Sequence, residues 1–307
     1  MFSIVKQRKI WFITSGLLVT ASVALIAIFG FNLGIDFEGG SLLEVEFLDT
    51  RPSNQEVASW LSQLNTGAVI VQPVDERGMI LRFKEVDEVT HQRIIKILND
   101  QSGVQVEPEG KQIVEEKRFD SIGPSIGLEL KRKTVNAVAV VSVAIILYIA
   151  WAFRKISQPI ASWKYGLIAI IALFHDIVIT LGVFVLLGEI YGVEINAPFI
   201  AALLTILGYS VNDTIVVFDR TRENLAKNQG EDFEKIVQKS VSEVIVRSIN
   251  ASLTTLLVLF SILLLGGSTV REFVLALIIG IGVGTYSSIF IASPLLVTWE
   301  KLRLKRS

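Results

Sequence analysis

Cysteine is absent from this chain of 307 residues, and histidine occurs only twice. The lack of cysteine excludes disulfide bonds, a thiol nucleophile and any metal site built on thiolate ligands. With so little histidine, a histidine-rich metal site is not expected either. Neither sign of charge is in excess, since 29 Lys and Arg residues stand against 30 Asp and Glu residues. The sequence therefore predicts no nucleic-acid partner and no cofactor.

Hydrophobic residues are abundant instead and make up 51% of the chain. They cluster in six runs, each long enough to cross a hydrocarbon layer of about 30 Å. These runs cover residues 10–31, 135–153, 165–187, 197–218, 249–265 and 273–299. The first run follows Lys6, Arg8 and Lys9, but it is longer than the core of a signal peptide. We therefore expect a polytopic α-helical membrane protein whose first span is an uncleaved anchor.

The basic residues of the short connections are distributed unevenly between the two sides of the membrane. With six spans, both termini lie on the same side. That side carries Lys6, Arg8, Lys9, Arg154, Lys155, Lys164, Arg220, Arg222, Lys227, Lys235, Lys239, Arg247, Lys301, Arg303, Lys305 and Arg306. The short loops on the opposite side contain only Arg271. By the positive-inside rule, both termini are expected in the cytoplasm.

One large polar insertion, residues 32–134, separates the first two spans and is expected outside the cytoplasm. Alternating hydrophobic residues predict strands at 41–47, 68–72, 78–84 and 111–119. A capping box of Ser53 and Glu56 predicts a helix that ends at Leu64, and a second helix is expected over 88–100. The order βαββαβ indicates a small α+β domain of the ferredoxin-like type.

The rest of the chain divides by the same pattern. Residues 1–31 are expected to form the cytoplasmic N-terminus and the first span, and 300–307 a basic cytoplasmic tail. Residues 135–299 are expected to form a bundle of five spans, with a cytoplasmic loop at 219–248. Within this loop, the amphipathic segment 231–246 is expected to lie along the membrane surface.

The fourth span contains an ionisable residue, Asp213, in a stripe of polar residues with Thr205, Tyr209 and Asn212. Burying a charged side chain in lipid costs several kcal/mol, so intramembrane acids are functional candidates. We expect Asp213 to face protein, not lipid. A role in proton coupling is favoured over a purely structural carboxylate held by Asn or Thr.

The fifth span begins at Arg247, and Asn250 and Thr254 follow at helical spacing. We expect this second polar stripe to face the first. Arg247 and Asp213 would then form an ion pair that protonation of Asp213 releases. A simple anchor at the cytoplasmic boundary explains Arg247 equally well from its position.

Three further patterns are weaker. His175 and Asp176 in the third span either relay protons or form a structural hydrogen-bonded pair. In the sixth span, small residues recur every four positions at Gly280, Gly284 and Ser288, which is typical of close helix packing. Glycines flank the insertion and predict tight, hinge-like junctions at Gly34, Asp36, Gly39, Gly40, Gly123 and Gly127, with Asp36 fixing the first turn.

Five motifs together resemble the SecF branch of the SecD/SecF family, which belongs to the resistance-nodulation-division superfamily. They are GIDFEGG at 34–40, SIGPSIGLEL at 121–130, FHD at 174–176, GYSVNDTIVVFDRTREN at 208–224 and RSINASLTT at 247–255. The resemblance covers nearly the whole chain in order. It implies a non-enzymatic subunit of the bacterial cytoplasmic (inner) membrane that acts in protein export.

The resemblance also implies partners and roles. SecD would supply the other spans, and the SecYEG translocon, YidC and YajC would be associated. The proton gradient would draw unfolded preproteins across late in export. Asp213 matches the family's proton-carrying aspartate, Arg247 its intramembrane arginine, and Asp36 the acid of the GxDFxGG motif. H⁺ is expected as the coupling ion, but Na⁺ stays open because Asp, Asn and Thr oxygens also bind Na⁺.

Three other functions fit parts of the sequence. The chain could be half of an exporter of small molecules or lipids, although its insertion is small for an apolar substrate pocket. It could be an intramembrane protease that uses Asp176 and Asp213, but paired acids are a weak signal and no HExxH motif occurs. A passive assembly factor of the translocon is the third alternative.

Overall fold

The computed structural model describes residues 3–64, 66–102, 114–152, 161–228 and 230–304. The basic residues Arg154, Lys155, Lys305 and Arg306 lie outside the described residues. The chain forms two compact units. One, the membrane bundle, comprises Met1–Asn32 and Val135–Ser307, and the other, the inserted domain, comprises Leu33–Thr134.

The described elements follow one another in this order: α1 (Arg8–Phe29), α2 (Ile35–Glu38), β1 (Gly40–Phe47), α3 (Asn54–Leu61), β2 (Ile70–Val74), β3 (Gly78–Phe83), α4 (Glu88–Gln101), β4 (Val114–Ile122), α5 (Pro124–Ala152), α6 (Ser162–Tyr191), α7 (Ala197–Lys227), α8 (Phe233–Leu265), α9 (Ser268–Ser287), a π-helical turn (Ser288–Ala292) and α10 (Ser293–Leu304). We call α9, the π-helical turn and α10 together the sixth span. Within the described residues, six helices are long and apolar enough to cross a membrane, so the predicted multi-pass architecture is confirmed.

The centre of the bundle consists of α6, α7 and the sixth span. The most apolar stretches of these helices are 56%, 50% and 56% buried, against 11%, 6% and 17% for α1, α5 and α8. Small residues bring the helices close together, as predicted for the sixth span. A Cβ atom at Gly280 would lie 2.2 Å from Cδ1 of Ile206, and one at Gly182 would lie 2.3 Å from Cβ of Ser22. Van der Waals packing at such contacts holds spans together where no hydrophobic effect acts between them.

The amphipathic segment 231–246 is expected from its sequence to lie along the membrane surface, but from Phe233 onward it forms the first part of a helix that continues into the fifth span. Helix α7 continues to Lys227, and α8 runs without a break from Phe233 into the fifth apolar run. The apolar face of the segment packs against the N-terminal residues Ile4 and Val5 and against Val217. The end of an apolar run indicates where the lipid ends, but the helix itself can extend further. Outside the lipid, a helix remains stable when one of its faces is buried against other residues.

The inserted domain is a four-stranded sheet in the order β2-β3-β1-β4, with all neighbouring strands antiparallel. Its buried core joins the sheet to α3 and α4. This order fits the predicted βαββαβ arrangement. The capping box is confirmed, because Ser53 Oγ accepts from Glu56 N at 3.3 Å and Glu56 Oε2 accepts from Ser53 N at 2.8 Å. Helix α3 ends at Leu61, earlier than predicted, and residues 111–113 of the predicted last strand lie outside the described residues.

The glycines that flank the inserted domain lie where backbones approach closely. Gly39 has a φ of +78°, and a Cβ there would lie 2.8 Å from Cα of Pro124. Gly40 has a φ of +130°, and its Cβ would lie 2.9 Å from the carbonyl oxygen of Phe83. Gly127 lies in the first turn of α5, where a Cβ would come within 3.1 Å of the Phe37 carbonyl oxygen. The two glycine-rich segments therefore pack against each other, and their hinge role stays a prediction.

Candidate functional site

Polar side chains meet at the centre of the bundle, where α6, α7 and the sixth span pack together. All of the following are buried, and we call them the buried polar cluster: His175, Asp176, Ser210, Asp213, Ser287 and Ser288. Small residues leave room for the carboxylates between the helices. For example, Gly284 on α9 lies directly opposite Ser210 on α7, where a Cβ atom at Gly284 would come within 3.0 Å of Cβ of Ser210. The cluster therefore depends on the small residues that bring these helices together.

Asp176 has the most complete set of hydrogen-bond donors in the buried polar cluster. It is 1% exposed, and its Oδ1 atom lies 2.9 Å from Nδ1 of His175. Its Oδ2 atom accepts hydrogen bonds from Ser210 Oγ at 2.5 Å and from Ser287 Oγ at 2.8 Å. Asp176 thus joins α6 to both α7 and the sixth span. A carboxylate with three donors is well satisfied despite its burial.

Asp213 lies on the same side of α7 as Ser210 and is 8% exposed. Within the described residues it accepts a single hydrogen bond, from Ser288 Oγ to Oδ2 at 2.7 Å. No hydrogen bond joins its carboxylate to that of Asp176 in the described part of the chain. The paired carboxylates of an aspartyl protease share a proton across a short contact, so this arrangement does not favour that alternative.

The two serines that hold the carboxylates are adjacent, at the point where α9 passes into the π-helical turn. Ser287 contacts Asp176, and Ser288 contacts Asp213. Pro294 follows the turn and has no N–H group, so the regular helical hydrogen-bond pattern cannot continue through it. The Ser293 hydroxyl donates to the Ser288 carbonyl at 3.0 Å and supplies part of the missing bonding. Such π-helical turns are frequent at functional sites.

The residues predicted to accompany Asp213 do not all lie beside it. Thr205 and Asn212 are exposed on the other side of α7. Tyr209 is partly buried and donates to Ser252 Oγ on α8 at 3.2 Å. Successive residues of a helix point about 100° apart, so Asn212 and Asp213 diverge. The predicted polar stripe is therefore divided between a buried side and an exposed side.

Arg247, Asn250 and Thr254 on α8 are also exposed. Among the described residues, Arg247 forms no ion pair or hydrogen bond, and the predicted pair with Asp213 is not made in this structure. The exposed polar residues of α7 and α8 define a polar outer face: Thr205, Asn212, Arg247, Asn250 and Thr254. Lipid cannot hydrogen-bond to such groups. The functional roles assigned to these residues stay predictions.

Sequence reasoning missed two residues of the buried polar cluster, Ser210 and Ser287. Ser210 could have been found, because it precedes Asp213 by three residues and so shares its helix face. Ser287 gave no signal, since a single serine in an apolar run is common in spans and its partner lies 111 residues away.

A second group of titratable residues lies in the inserted domain. His91 is buried and stacks on the Phe119 ring at a centroid distance of 3.8 Å. Its Nδ1 atom lies 3.2 Å from Glu88, and its Nε2 atom lies 3.3 Å from Glu116. Hydrogen bonds from Gln92 and His91 lower the pKa of Glu88. Within the described residues, no set of three or more His, Cys, Asp or Glu side chains is arranged to hold a metal ion.

Comparison with known proteins places these features in a family. The family model described as "Protein export membrane protein SecD/SecF, C-terminal" matches residues 104–302, and the "SecD/SecF GG Motif" matches residues 24–47. The protein translocase subunit SecF of Thermobaculum terrenum is 41% identical and matches 98% of this chain and 94% of its own length. The SecF of Anaerolinea thermophila is 38% identical, with 98% and 94% coverage.

A solved structure agrees with this assignment. The crystal structure of SecDF, described as a translocon-associated membrane protein from Thermus thermophilus, is 32% identical and superposes with a TM-score of 0.82. The match covers 98% of this chain but only 39% of the SecDF chain. The chain belongs to the SecD/SecF family of protein-export membrane proteins and, within it, to the SecF translocase subunits.

Proposed function

We propose that this chain is a SecF subunit of the Sec protein-export machinery. Together with a SecD partner, it uses the proton motive force to promote the late translocation of unfolded preproteins across the bacterial cytoplasmic membrane. Both termini face the cytoplasm in this proposal, because the basic residues of the short loops lie on that side. The proposal rests on the family and on the environment of Asp213.

The observation that carries the proposal is a buried carboxylate with a single hydrogen bond, at the contact between α7 and the sixth span. A carboxylate in a low-dielectric interior is held in its charged form by its donors and nearby positive charges. With one donor, Asp213 is better suited than Asp176 to gain and lose a proton. Each charge that moves through the membrane potential releases about 2.3 kcal/mol per 100 mV.

Arg247 is the proposed counter-charge for Asp213 in another state of the transport cycle. It lies on α8, which packs against α7. In this structure the guanidinium is exposed and unpaired within the described residues. Protonation of Asp213 would remove the attraction between the two groups and allow the helices to repack. H⁺ is the proposed coupling ion, and Na⁺ is the alternative that the test below distinguishes.

The polar outer face supports a membrane partner. Its five residues lie on α7 and α8 within or next to apolar runs. Thr205 and Thr254 donate to the backbone of their own helices. The side chains of the other three form no hydrogen bond among the described residues, and lipid cannot supply one. The related SecDF chain carries additional sequence, since this chain covers only 39% of it. We assign the polar outer face to a SecD partner. SecYEG, YidC and YajC are the further proposed partners, and Asp36 and the junction glycines are the proposed connection to the inserted domain.

The proposal is tested by preprotein translocation into inverted membrane vesicles that contain this chain and its SecD partner. Asp213→Asn is compared with the wild type under a proton gradient, under a sodium gradient and without either. We expect the gradient-dependent part of translocation to be lost in Asp213→Asn, because the amide cannot carry the proton. The ATP-driven part should be unchanged.

A matched control is Thr214→Val. Thr214 is buried next to Asp213, and its hydroxyl has no hydrogen-bond partner among the described residues. This variant should keep the full gradient response. If Asp213→Asn translocates as well as the wild type under a gradient, the mechanism is wrong and a passive assembly factor explains the chain better. If translocation responds to the sodium gradient and not to the proton gradient, the coupling ion is Na⁺ and not H⁺.

A further inference from the structure

Two adjacent serines of the sixth span connect the two buried carboxylates. Ser287 donates to Asp176 on α6 at 2.8 Å, and Ser288 donates to Asp213 on α7 at 2.7 Å. Both serines are completely buried. Because neighbouring helical residues point about 100° apart, one serine reaches α6 while the next reaches α7. Any rotation of this helix segment therefore moves both hydroxyl groups together.

The contact with Asp176 is the firmer of the two. Asp176 accepts from three donors on α6, α7 and the sixth span, so its position is fixed from three sides. Asp213 has one donor within the described residues. The segment that starts at Ser288 is a π-helical turn, in which the helix is wider and its hydrogen-bond pattern interrupted. Its backbone hydrogen bonds therefore differ from those of the α-helices on either side.

We propose that Ser287 and Ser288 are positioning residues for Asp213, with Asp176 as their fixed anchor. Asp176 holds Ser287, this contact sets the rotation of the helix at the π-helical turn, and Ser288 is thereby kept on the Asp213 carboxylate. The inference rests on the proposed function of Asp213 and adds the residues that control its hydrogen bond. In this proposal, Asp176 of the FHD motif fixes the position of the serines and does not carry a transported proton.

The arrangement links the proton to the position of the sixth span. A hydroxyl donates a stronger hydrogen bond to a charged carboxylate than to a neutral one. Protonation of Asp213 therefore weakens its contact with Ser288, while the contact between Asp176 and Ser287 persists. The π-helical turn is then released from α7 but stays attached to α6. This is a local change of one helix contact that depends on the charge of Asp213.

The experiment measures how the reaction of Asp213 with dicyclohexylcarbodiimide depends on pH. This reagent modifies protonated carboxyl groups, and mass spectrometry of the full chain in membranes with its SecD partner quantifies the labelling. The variants are Ser287→Ala, Ser288→Ala and the double variant. All of these variants leave unchanged the titratable groups on the helices packed against α7, among them His175 and Asp176 on α6, Arg247 on α8 and Tyr286 on α9.

We expect the labelling midpoint to rise by about one pH unit in Ser288→Ala, because the charged form loses a hydrogen-bond donor. Ser287→Ala should give a rise of similar size, although Ser287 does not touch Asp213. The double variant should shift no further than Ser288→Ala alone, since both changes remove the same contact. Thr221→Val is the matched control, because its buried hydroxyl donates to the Val217 carbonyl of its own helix and touches neither carboxylate.

Three results would overturn the proposal. If Ser288→Ala shifts the midpoint and Ser287→Ala does not, Ser287 contributes only to packing. If neither variant shifts it, the Ser288 contact does not control Asp213. Shifts that add in the double variant would mean that the two serines act independently. Ser287→Cys, a similar-sized but weak donor, replaces Ser287→Ala if the latter fails to accumulate in membranes.

This test is separate from that of the proposed function. Labelling of Asp213 does not require export, so the serine variants can be assessed even if translocation proves insensitive to Asp213→Asn. Conversely, a loss of gradient-driven export in Asp213→Asn with no midpoint shift in the serine variants would retain the proposed function and remove this inference.

Discussion

Asp176 and Asp213 are two buried carboxylates in the same bundle, and their surroundings differ. Asp176 is 1% exposed and contacts His175, Ser210 and Ser287, whereas Asp213 is 8% exposed and contacts Ser288. Both are acids in apolar spans, where an unpaired charge is costly. The number of hydrogen-bond donors, more than the degree of burial, distinguishes the two carboxylates.

The difference also follows from position. Asp176 lies on a helix that is packed on several sides, and donors reach it from α7 and from the sixth span. Asp213 lies in the same buried polar cluster, but Asn212 beside it is exposed. The two acids fit the proposed roles of anchor and proton carrier, respectively.

The largest expected effect concerns stability. In Asp176→Ala, His175 Nδ1 and Ser210 Oγ lose the acceptor that they have in this structure, and each costs about 1–3 kcal/mol if left unsatisfied. Ser287 loses its bond to the carboxylate but keeps the Gly284 carbonyl as an acceptor at 3.1 Å. We expect a loss of folding stability of about 3 kcal/mol or more. In Asp213→Ala, Ser288 keeps the Thr285 carbonyl as an acceptor at 3.0 Å, so the loss of one hydrogen bond should cost only about 1 kcal/mol. Thermal unfolding of the purified SecD-bound protein in detergent measures both.

Gly16→Ala calibrates this measurement, since a Cβ at Gly16 meets no atom within 4 Å. It should leave the unfolding temperature close to that of the wild type. If Asp176→Ala and Asp213→Ala lower the folding stability equally, the two acids do not differ in their structural role. A larger loss for Asp213→Ala would assign the anchoring role to it instead.

A smaller effect is expected when single donors are removed. Ser210→Ala takes one of three donors from Asp176, so we expect a stability loss of about 1 kcal/mol and nearly normal gradient-driven export. Ser288→Ala takes the single donor from Asp213 and should impair gradient-driven export more than stability. Unfolding and translocation assays on both variants give the two readouts. If both variants lose stability and export in the same proportion, the division of roles is wrong.

Much of the fold could be predicted because it depends on length and period. Runs of about 20 apolar residues give spans, and alternating residues with a capping box give the strands and helices of the inserted domain. The prediction that the segment 231–246 lies along the membrane surface was wrong, because the amphipathic pattern shows which face of a helix is buried but not what covers that face. Here Ile4 and Val5 cover it, and their contact depends on tertiary structure.

The candidate site could be predicted only in part. The burial of Asp213 follows from its charge in an apolar run. Its partner Ser288 lies 75 residues away, and the rotation of the sixth span selects Ser288 for Asp213 and Ser287 for Asp176. No sequence period encodes that rotation, because it depends on tertiary contacts of the sixth span, among them the close contacts at Gly280 and Gly284.

The smallest expected effect tests the role of donors outside the membrane. Glu56 in the inserted domain accepts hydrogen bonds from the backbone N–H and the hydroxyl of Ser53, and these bonds lower its pKa below the ordinary value of 4.5. Because the folded-state pKa is lowered, the stabilisation is present above pH 4.5 and is lost as pH falls through the lowered value. The protection of the first amides of α3 against hydrogen exchange, measured relative to the intrinsic exchange rate at each pH, should therefore fall at acid pH. Glu56→Gln should show a weaker pH dependence of this protection. An identical profile in both would mean that donors to an exposed carboxylate contribute nothing, so that burial is needed for the effect expected at Asp176.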